Sequence, residues 1–274
     1  KKQFANPASY ITFDGGDYKA IRFNMNTTSD FRAAIYLSAG ASHVTVKNCL
    51  FTDNSPVPSY QAKLPLTRYN NAMGSFQFQD DIRPTSTYSA AILQRSVMPT
   101  DIKTQYNIYN LDSLSNNYNT FENNEISGFS YGIVSLGMGV LIDGGLGQLH
   151  DYYNTNNVYK NNIISNVRRA GIMLGYEKNS EIKGNVIYNV TGVSSESDAA
   201  GIIIGGESHD NYPGYNTMSI TVDANEIENI NGTSAVYGIK NDQYQNQYPL
   251  GNSLQKYPNE PENTKIFNNI IWGL

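Results

Sequence analysis

Two short elements alternate along almost the whole chain, and this alternation narrows the possible folds more than any other feature. A small residue followed by Ile occurs as Ala34-Ile35, Ala91-Ile92, Gly132-Ile133, Gly171-Ile172, Gly201-Ile202 and Gly238-Ile239. Between these lies Asn-x-Ile/Leu, as Asn48-Cys49-Leu50, Asn124-Glu125-Ile126, Asn162-Ile163-Ile164, Asn185-Val186-Ile187, Asn225-Glu226-Ile227 and Asn269-Ile270-Ile271. The shortest spacings, about 13 residues from Ile to Asn and about 9 from Asn to Ile, give a period of about 22, which suits a short-repeat solenoid and not a globular domain. Six coils of that period use roughly 130 residues, so about half of the chain is insertions and ends.

Each element reads as a strand. Three residues before the Asn stand Thr45, Phe121, Tyr159, Ile182, Val222 and Ile266; two residues after it stand Leu50, Ile126, Ile164, Ile187, Ile227 and Ile271. Stacked coils would turn both sets inward as columns. The Asn column is expected at a bend, with αL geometry and an amide bonded to the amide of the next coil. The Gly/Ala column is expected to let the backbone turn into the Ile strand. Two residues before the Asn stand Glu122, Lys160, Lys183 and Asp223, so strands about 4.8 Å apart would pair Glu122 with Lys160 and Lys183 with Asp223 on the outside.

Composition agrees with a strand-rich chain. It holds 23 Gly, 21 Tyr and many Asn, all poor helix formers. Nineteen Lys+Arg against 24 Asp+Glu give a net charge of −5, without the clustered positive charge of a nucleic-acid footprint. The single cysteine, Cys49, excludes an internal disulfide and a Cys-based zinc site, and three histidines leave little for a His-rich metal centre. No apolar stretch approaches the roughly 18–20 residues of a membrane span. The chain opens Lys1-Lys2-Gln3 without a signal peptide, and Ile266–Leu274 is still an inward-facing repeat strand without a cap. A segment of a longer protein, or a unit stacking through its uncapped ends on another copy, is the expectation.

The segments SYITFDGG (Ser9–Gly16), VYKNNIISNVRRAGIMLGYEKNSEIKGNVIYNV (Val158–Val190) and IFNNIIWGL (Ile266–Leu274) resemble the right-handed parallel β-helix proteins of the pectate-lyase-like superfamily. Their style is similar to repeat regions of large secreted surface proteins of the Bacteroidota and relatives. The resemblance implies an all-β, right-handed parallel β-helix of about six to seven coils, forming one domain over 1–274 and placed outside the cell or on its surface. Several such relatives cleave acidic polysaccharides. The Trp-Ile-Asp-His and Arg-x-Pro-x-x-Arg segments of the lyases are missing; the one tryptophan is Trp272, and Arg168-Arg169 has no prolines near it. Hydrolase relatives work with paired aspartates. Here Asp80-Asp81 is the one Asp-Asp pair, and no Gly-His-Gly occurs.

Insertions concentrate on one edge. The segments 94–117, 136–156, 205–218 and 241–263 follow the Ile strands and should form one wall, while 52–89 lengthens the opposite arm. Gly144–Thr155 and Gly205–Thr217 resemble each other, each carrying Gly-Gly, His-Asp, tyrosines and Asn-Thr. His150, Asp151, His209 and Asp210 would face a shared groove and, with Asp80 and Asp81, are the weak catalytic candidates. Tyr152, Tyr153, Glu207, Tyr212, Tyr215 and Tyr244 are the candidate ligand-binding residues: aromatic faces cover sugar C–H surfaces, and carboxylates accept hydroxyl hydrogen bonds. The competing structural reading has the His-Asp pairs capping turns and the tyrosines covering the solenoid's side. Calcium stays open, because Asp/Asn-rich loops are plentiful, although no Asp-x-Asp-x-Asp run exists. The leading functional expectation is a non-catalytic β-helix with a structural, stalk or adhesive role, binding polysaccharide or another surface component along the wall. The alternative is a polysaccharide lyase or glycoside hydrolase acting on an extended acidic polysaccharide.

Overall fold

Three parallel sheets account for nearly all regular structure in the computed structural model, which describes residues 9–29, 31–38, 40–56, 68–69, 78–79, 88–95, 115–137, 139–142, 149–192, 199–205, 217–233, 235–241, 248–250, 253–255 and 263–274. The first sheet stacks Thr12–Asp14, Thr45–Lys47, Thr120–Glu122, Val158–Lys160, Glu181–Lys183, Thr221–Asp223 and Lys265–Phe267 in chain order. The second stacks Arg22–Met25, Leu50–Asp53, Glu125–Ser127, Ile163–Ser165, Val186–Thr191, Glu226–Asn231 and Ile270–Trp272. The third stacks Phe31–Ser38, Tyr88–Arg95, Tyr131–Leu136, Ala170–Gly175, Ala199–Ile204 and Val236–Asn241. The chain visits first, second and third sheet in turn, completing one rung, and then repeats. No helix occurs among the described residues. Stacked parallel sheets of this kind are consistent with a β-helix solenoid.

The Ile column holds throughout. Ile35 pairs with Ile92, Ile92 with Ile133, Ile133 with Ile172, Ile172 with Ile202, and Ile202 with Ile239. The interior is completed by Phe121, Tyr159, Ile182 and Val222 from the first sheet and Ile126, Ile164, Ile187 and Ile227 from the second, all essentially without exposure. The outward charge ladder also forms, with Lys160 Nζ 3.1 Å from Glu122 Oε1 and Lys183 Nζ 3.1 Å from Asp223 Oδ2. Lys47 and Asp14 add a third pair at 3.1 Å.

Three expectations need correction. In the rung of Thr45–Asp53 the register lies one residue further on. Val46 and Phe51 point inward instead of Thr45 and Leu50, because Val46 pairs with Phe121 and Phe51 with Ile126. Cys49, not Asn48, then occupies the asparagine position, and its N–H donates to Asn124 Oδ1 at 3.0 Å. The second correction divides the asparagine's two expected jobs between neighbours. The αL residue is the preceding one: Asn48, Asn123, Asn161, Gly184, Ala224 and Asn268, with φ between 52° and 64°. The asparagine after it is buried and makes the ladder. Asn124, Asn162, Asn185 and Asn225 each donate Nδ2 to Oδ1 of the next rung's asparagine, at 2.9–3.0 Å.

The glycines before Ile also act differently from expectation. Gly132, Gly171, Gly201 and Gly238 do not have positive φ. A Cβ on Gly171 would sit 2.6 Å from Ile187 Cγ2 and 2.8 Å from Gly201 O, and the other three meet Ile164, Ile227 and Ile271 in the same way. They make room for the next rung's isoleucine.

The middle strands of the third sheet are buried on both faces. Outside it, Leu93, Tyr131, Val134, Met173, Ile203 and Tyr153 form a second apolar cluster. That explains the unbroken burial of Tyr131–Leu136, Ala170–Gly175 and Ala199–Ile204. Between the third and first sheets lie two antiparallel hairpins, Gly139–Ile142 with Leu149–Tyr152 and Tyr248–Leu250 with Ser253–Gln255. Within 52–89 lies a third, Arg68–Tyr69 with Phe78–Gln79.

Candidate functional site

The edge where the chain passes from the third sheet to the first carries the insertions 94–117, 136–156, 205–218 and 241–263. Here a second left-handed column runs along the surface, two residues before each of the first six strands of the first sheet: Tyr10, His43, Tyr118, Asn156, Asn179 and Ser219, with φ of 54° to 60°. Asn and His tolerate this geometry, but tyrosine seldom adopts it. The three aromatic rings stack on one another. Tyr10 lies 4.6 Å from His43 at an interplanar angle of 3°, and His43 lies 5.0 Å from Tyr118 at 5°. Tyr10 is 79% and Tyr118 53% exposed, so the stack is an aromatic ladder on the outer surface.

Directly inside this edge lies a polar interior. One inward column of the third sheet reads Leu37, Gln94, Ser135, Leu174, Ile204, so two polar side chains interrupt an apolar row. Gln94 Nε2 donates to Ser135 Oγ and to Tyr159 Oη, both at 2.7 Å. Having accepted from Gln94, Tyr159 turns its proton to Glu177, whose two oxygens stand 2.9 and 3.0 Å away. Asn157 Nδ2 donates to Glu177 at 3.2 Å, and Asn119 Nδ2 donates to Gln94 Oε1 at 2.9 Å. Burial pushes the Glu177 carboxyl above the ordinary range, against hydrogen bonds from Ser135, Ser180, Tyr159 and Asn157 that favour its charge. Burial and then the Glu177 charge hold the Tyr159 phenol well above its usual range. Glu177 is wholly buried, so it cannot reach a polymeric substrate as an acid.

The sequence-based candidates fall into two groups. His150, Asp151 and Tyr152 lie on the hairpin strand Leu149–Tyr152, opposite Leu141, Val140 and Gly139. Tyr153, expected to face a ligand, is only 2% exposed. Tyr176 meets its ring edge-on at 6.0 Å, and Lys178 Nζ lies 5.3 Å from its centroid. Glu207, His209, Asp210, Tyr212, Tyr215, Tyr244, Asp80 and Asp81 lie outside the described residues. Tyr10, His43, Tyr118, Gln94 and Glu177 were not singled out from the sequence. The first three become visible only as a column counted back from each strand.

No protein-family model, curated protein or solved structure matches this chain. Among the described residues, no three His, Cys, Asp or Glu side chains gather where a metal ion could sit. No helix among them is long and apolar enough to cross a membrane.

Proposed function

We propose that this chain is a right-handed parallel β-helix of six to seven coils, of the pectate-lyase-like kind, with a structural, stalk or adhesive role outside the cell or on its surface. Its adhesive face is the edge between the third and first sheets, and the partner is an extended polysaccharide lying along that edge. The observation that supports this reading is the exposed stack of Tyr10, His43 and Tyr118 beside the insertions. The outer face of Tyr10 and the ring edges of the ladder offer a flat apolar strip running along the solenoid axis, which suits the C–H faces of a chain of sugars.

The test is a glycan array followed by calorimetry, with and without calcium. Asn occupies the same backbone position at Asn156 and Asn179. Changing Tyr10→Asn, His43→Asn and Tyr118→Asn together should therefore preserve the fold while weakening binding about tenfold or more. Binding unchanged in that variant would sink the reading. Cleavage of any bound polysaccharide would replace it with the lyase or hydrolase alternative.

A further inference from the structure

The opposite edge, between the second and third sheets, gathers guanidinium groups. Arg32 Nε meets Asp53 Oδ2 at 2.9 Å, with side chains 3% and 0% exposed. Arg32 also donates from Nη1 to Ser29 O at 2.7 Å and from Nη2 to Pro56 O at 3.3 Å. Asp53 Oδ1 accepts the Ser55 N–H at 2.9 Å, and the Ser55 and Ser89 hydroxyls also turn to this carboxylate. This pair is closed, each charge surrounded by partners.

Further along the same edge stand Arg168 and Arg169, whose backbone N–H groups donate to Phe129 O and Ser130 O of the preceding rung. Arg169 is wholly buried, with its guanidinium 5.8 Å from the Tyr131 centroid. Arg168 is different. Its Nη1 is buried and has no hydrogen-bond partner among the described residues. Burial disfavours its charge most, Asp53 supports that charge, and Arg32 opposes it.

A buried guanidinium nitrogen without an acceptor has lost its hydration and gained nothing in exchange. Among the described residues this corner sets Arg32 and Arg168 against the single carboxylate of Asp53, and that carboxylate is already engaged. An oxyanion corrects both deficits, since it brings negative charge and acceptor oxygens matched to the planar fork of arginine. We propose that Arg168 is the recognition residue of an oxyanion-binding site at the edge between the second and third sheets. The ligand is a sulfate, phosphate or carboxylate group, free or carried on a larger molecule. The site is independent of the adhesive face.

Inorganic sulfate is the probe. The thermal midpoint is measured against sulfate concentration, with chloride at matched ionic strength as reference, for the unchanged protein, Arg168→Lys and Arg168→Met. A saturable rise of about 2–4 °C is expected in the unchanged protein, smaller in Arg168→Lys and absent in Arg168→Met. An equal rise in all three is the general stabilisation that sulfate gives any folded protein and overturns the site, as does no rise at all. If Arg168→Met fails to fold, a ¹⁵Nε–H titration of the unchanged protein decides. A saturable shift confined to Arg168 supports the site; no shift, or equal shifts at every arginine, overturns it. A sulfated oligosaccharide separates the sources. Tighter saturation than by inorganic sulfate assigns a polymer-borne group, and weaker saturation a free ion.

Discussion

Two polar interiors run through this solenoid, at neighbouring corners, and they are built on opposite principles. At the corner between the first and second sheets, every amide of the asparagine ladder is saturated. Asn185 Oδ1 accepts the N–H and the Nδ2 of Asn162, and its own Nδ2 donates to Tyr159 O and Asn225 Oδ1. At the corner between the third and first sheets, Gln94, Ser135, Tyr159, Asn157 and Glu177 form an irregular network around a carboxyl. Beside it the wholly buried Asn116 side chain has no partner for Nδ2 or Oδ1 among the described residues. A repeated residue can satisfy itself, because each copy meets the same groups above and below. A network of unlike residues must be assembled case by case, and leaves remainders.

The largest expected effect tests the saturated corner. Asn185→Ala strips partners from the Asn162 N–H and the Tyr159 carbonyl inside the core, and should lower unfolding free energy by about 3 kcal/mol in urea titrations. A loss below about 1 kcal/mol would mean the ladder is ornament. Gly171→Ala should follow at about 2 kcal/mol, since its new methyl meets Ile187 Cγ2 and the Gly201 carbonyl.

At the irregular corner, Glu177→Gln keeps the shape and removes the titration. The folded-state pKa of Glu177 is raised, so the unfolded chain ionises first as pH rises. Its contribution is therefore present below about pH 4.5 and lost as pH rises through the folded value. Denaturation curves of the Gln variant should match the unchanged protein near pH 4 and show greater relative stability at pH 8. Equal pH dependence in both proteins would contradict a buried, raised carboxyl.

Asn116→Ala should change stability by less than about 1 kcal/mol, because no partner is orphaned. A loss as large as that of Asn185→Ala would show that buried water saturates this corner too, and would erase the contrast. The smallest effect belongs to the surface. Lys160→Ala breaks only the exposed pair with Glu122 and should cost under about 1 kcal/mol, shrinking further in high salt.

What could be read from the sequence was what repeats. The Ile column and the charge pairs came from counting alone, because each rung shows the same residue type at the same offset. The left-handed bend escaped that count, since Asn123-Asn124, Asn161-Asn162 and Asn268-Asn269 each present two asparagines with opposite fates. In the rung of Asn48-Cys49 the single asparagine lies in the bend column and Cys49 fills the ladder, whereas Gly184-Asn185 and Ala224-Asn225 keep their single asparagine in the ladder. The aromatic ladder was hidden because Tyr, His and Tyr share a position but not an identity. Tyr153 shows the same limit: a loop tyrosine looks alike whether it faces a sugar or a second apolar cluster.

The chain by itself therefore determined the period, the parallel stacking and the residues that alternate between interior and surface. Those follow from local spacing repeated at every rung. Only the tertiary structure decided which polar groups are closed in and which are left open. Asn124 meets Asn162 from 38 residues away and Cys49 from 75. Arg32 meets Asp53 from 21 residues away, while Arg168 Nη1 finds no acceptor among the described residues. Saturation of a buried group depends on what the neighbouring rungs place beside it, and insertions of unequal length keep those neighbours out of reach of any fixed count.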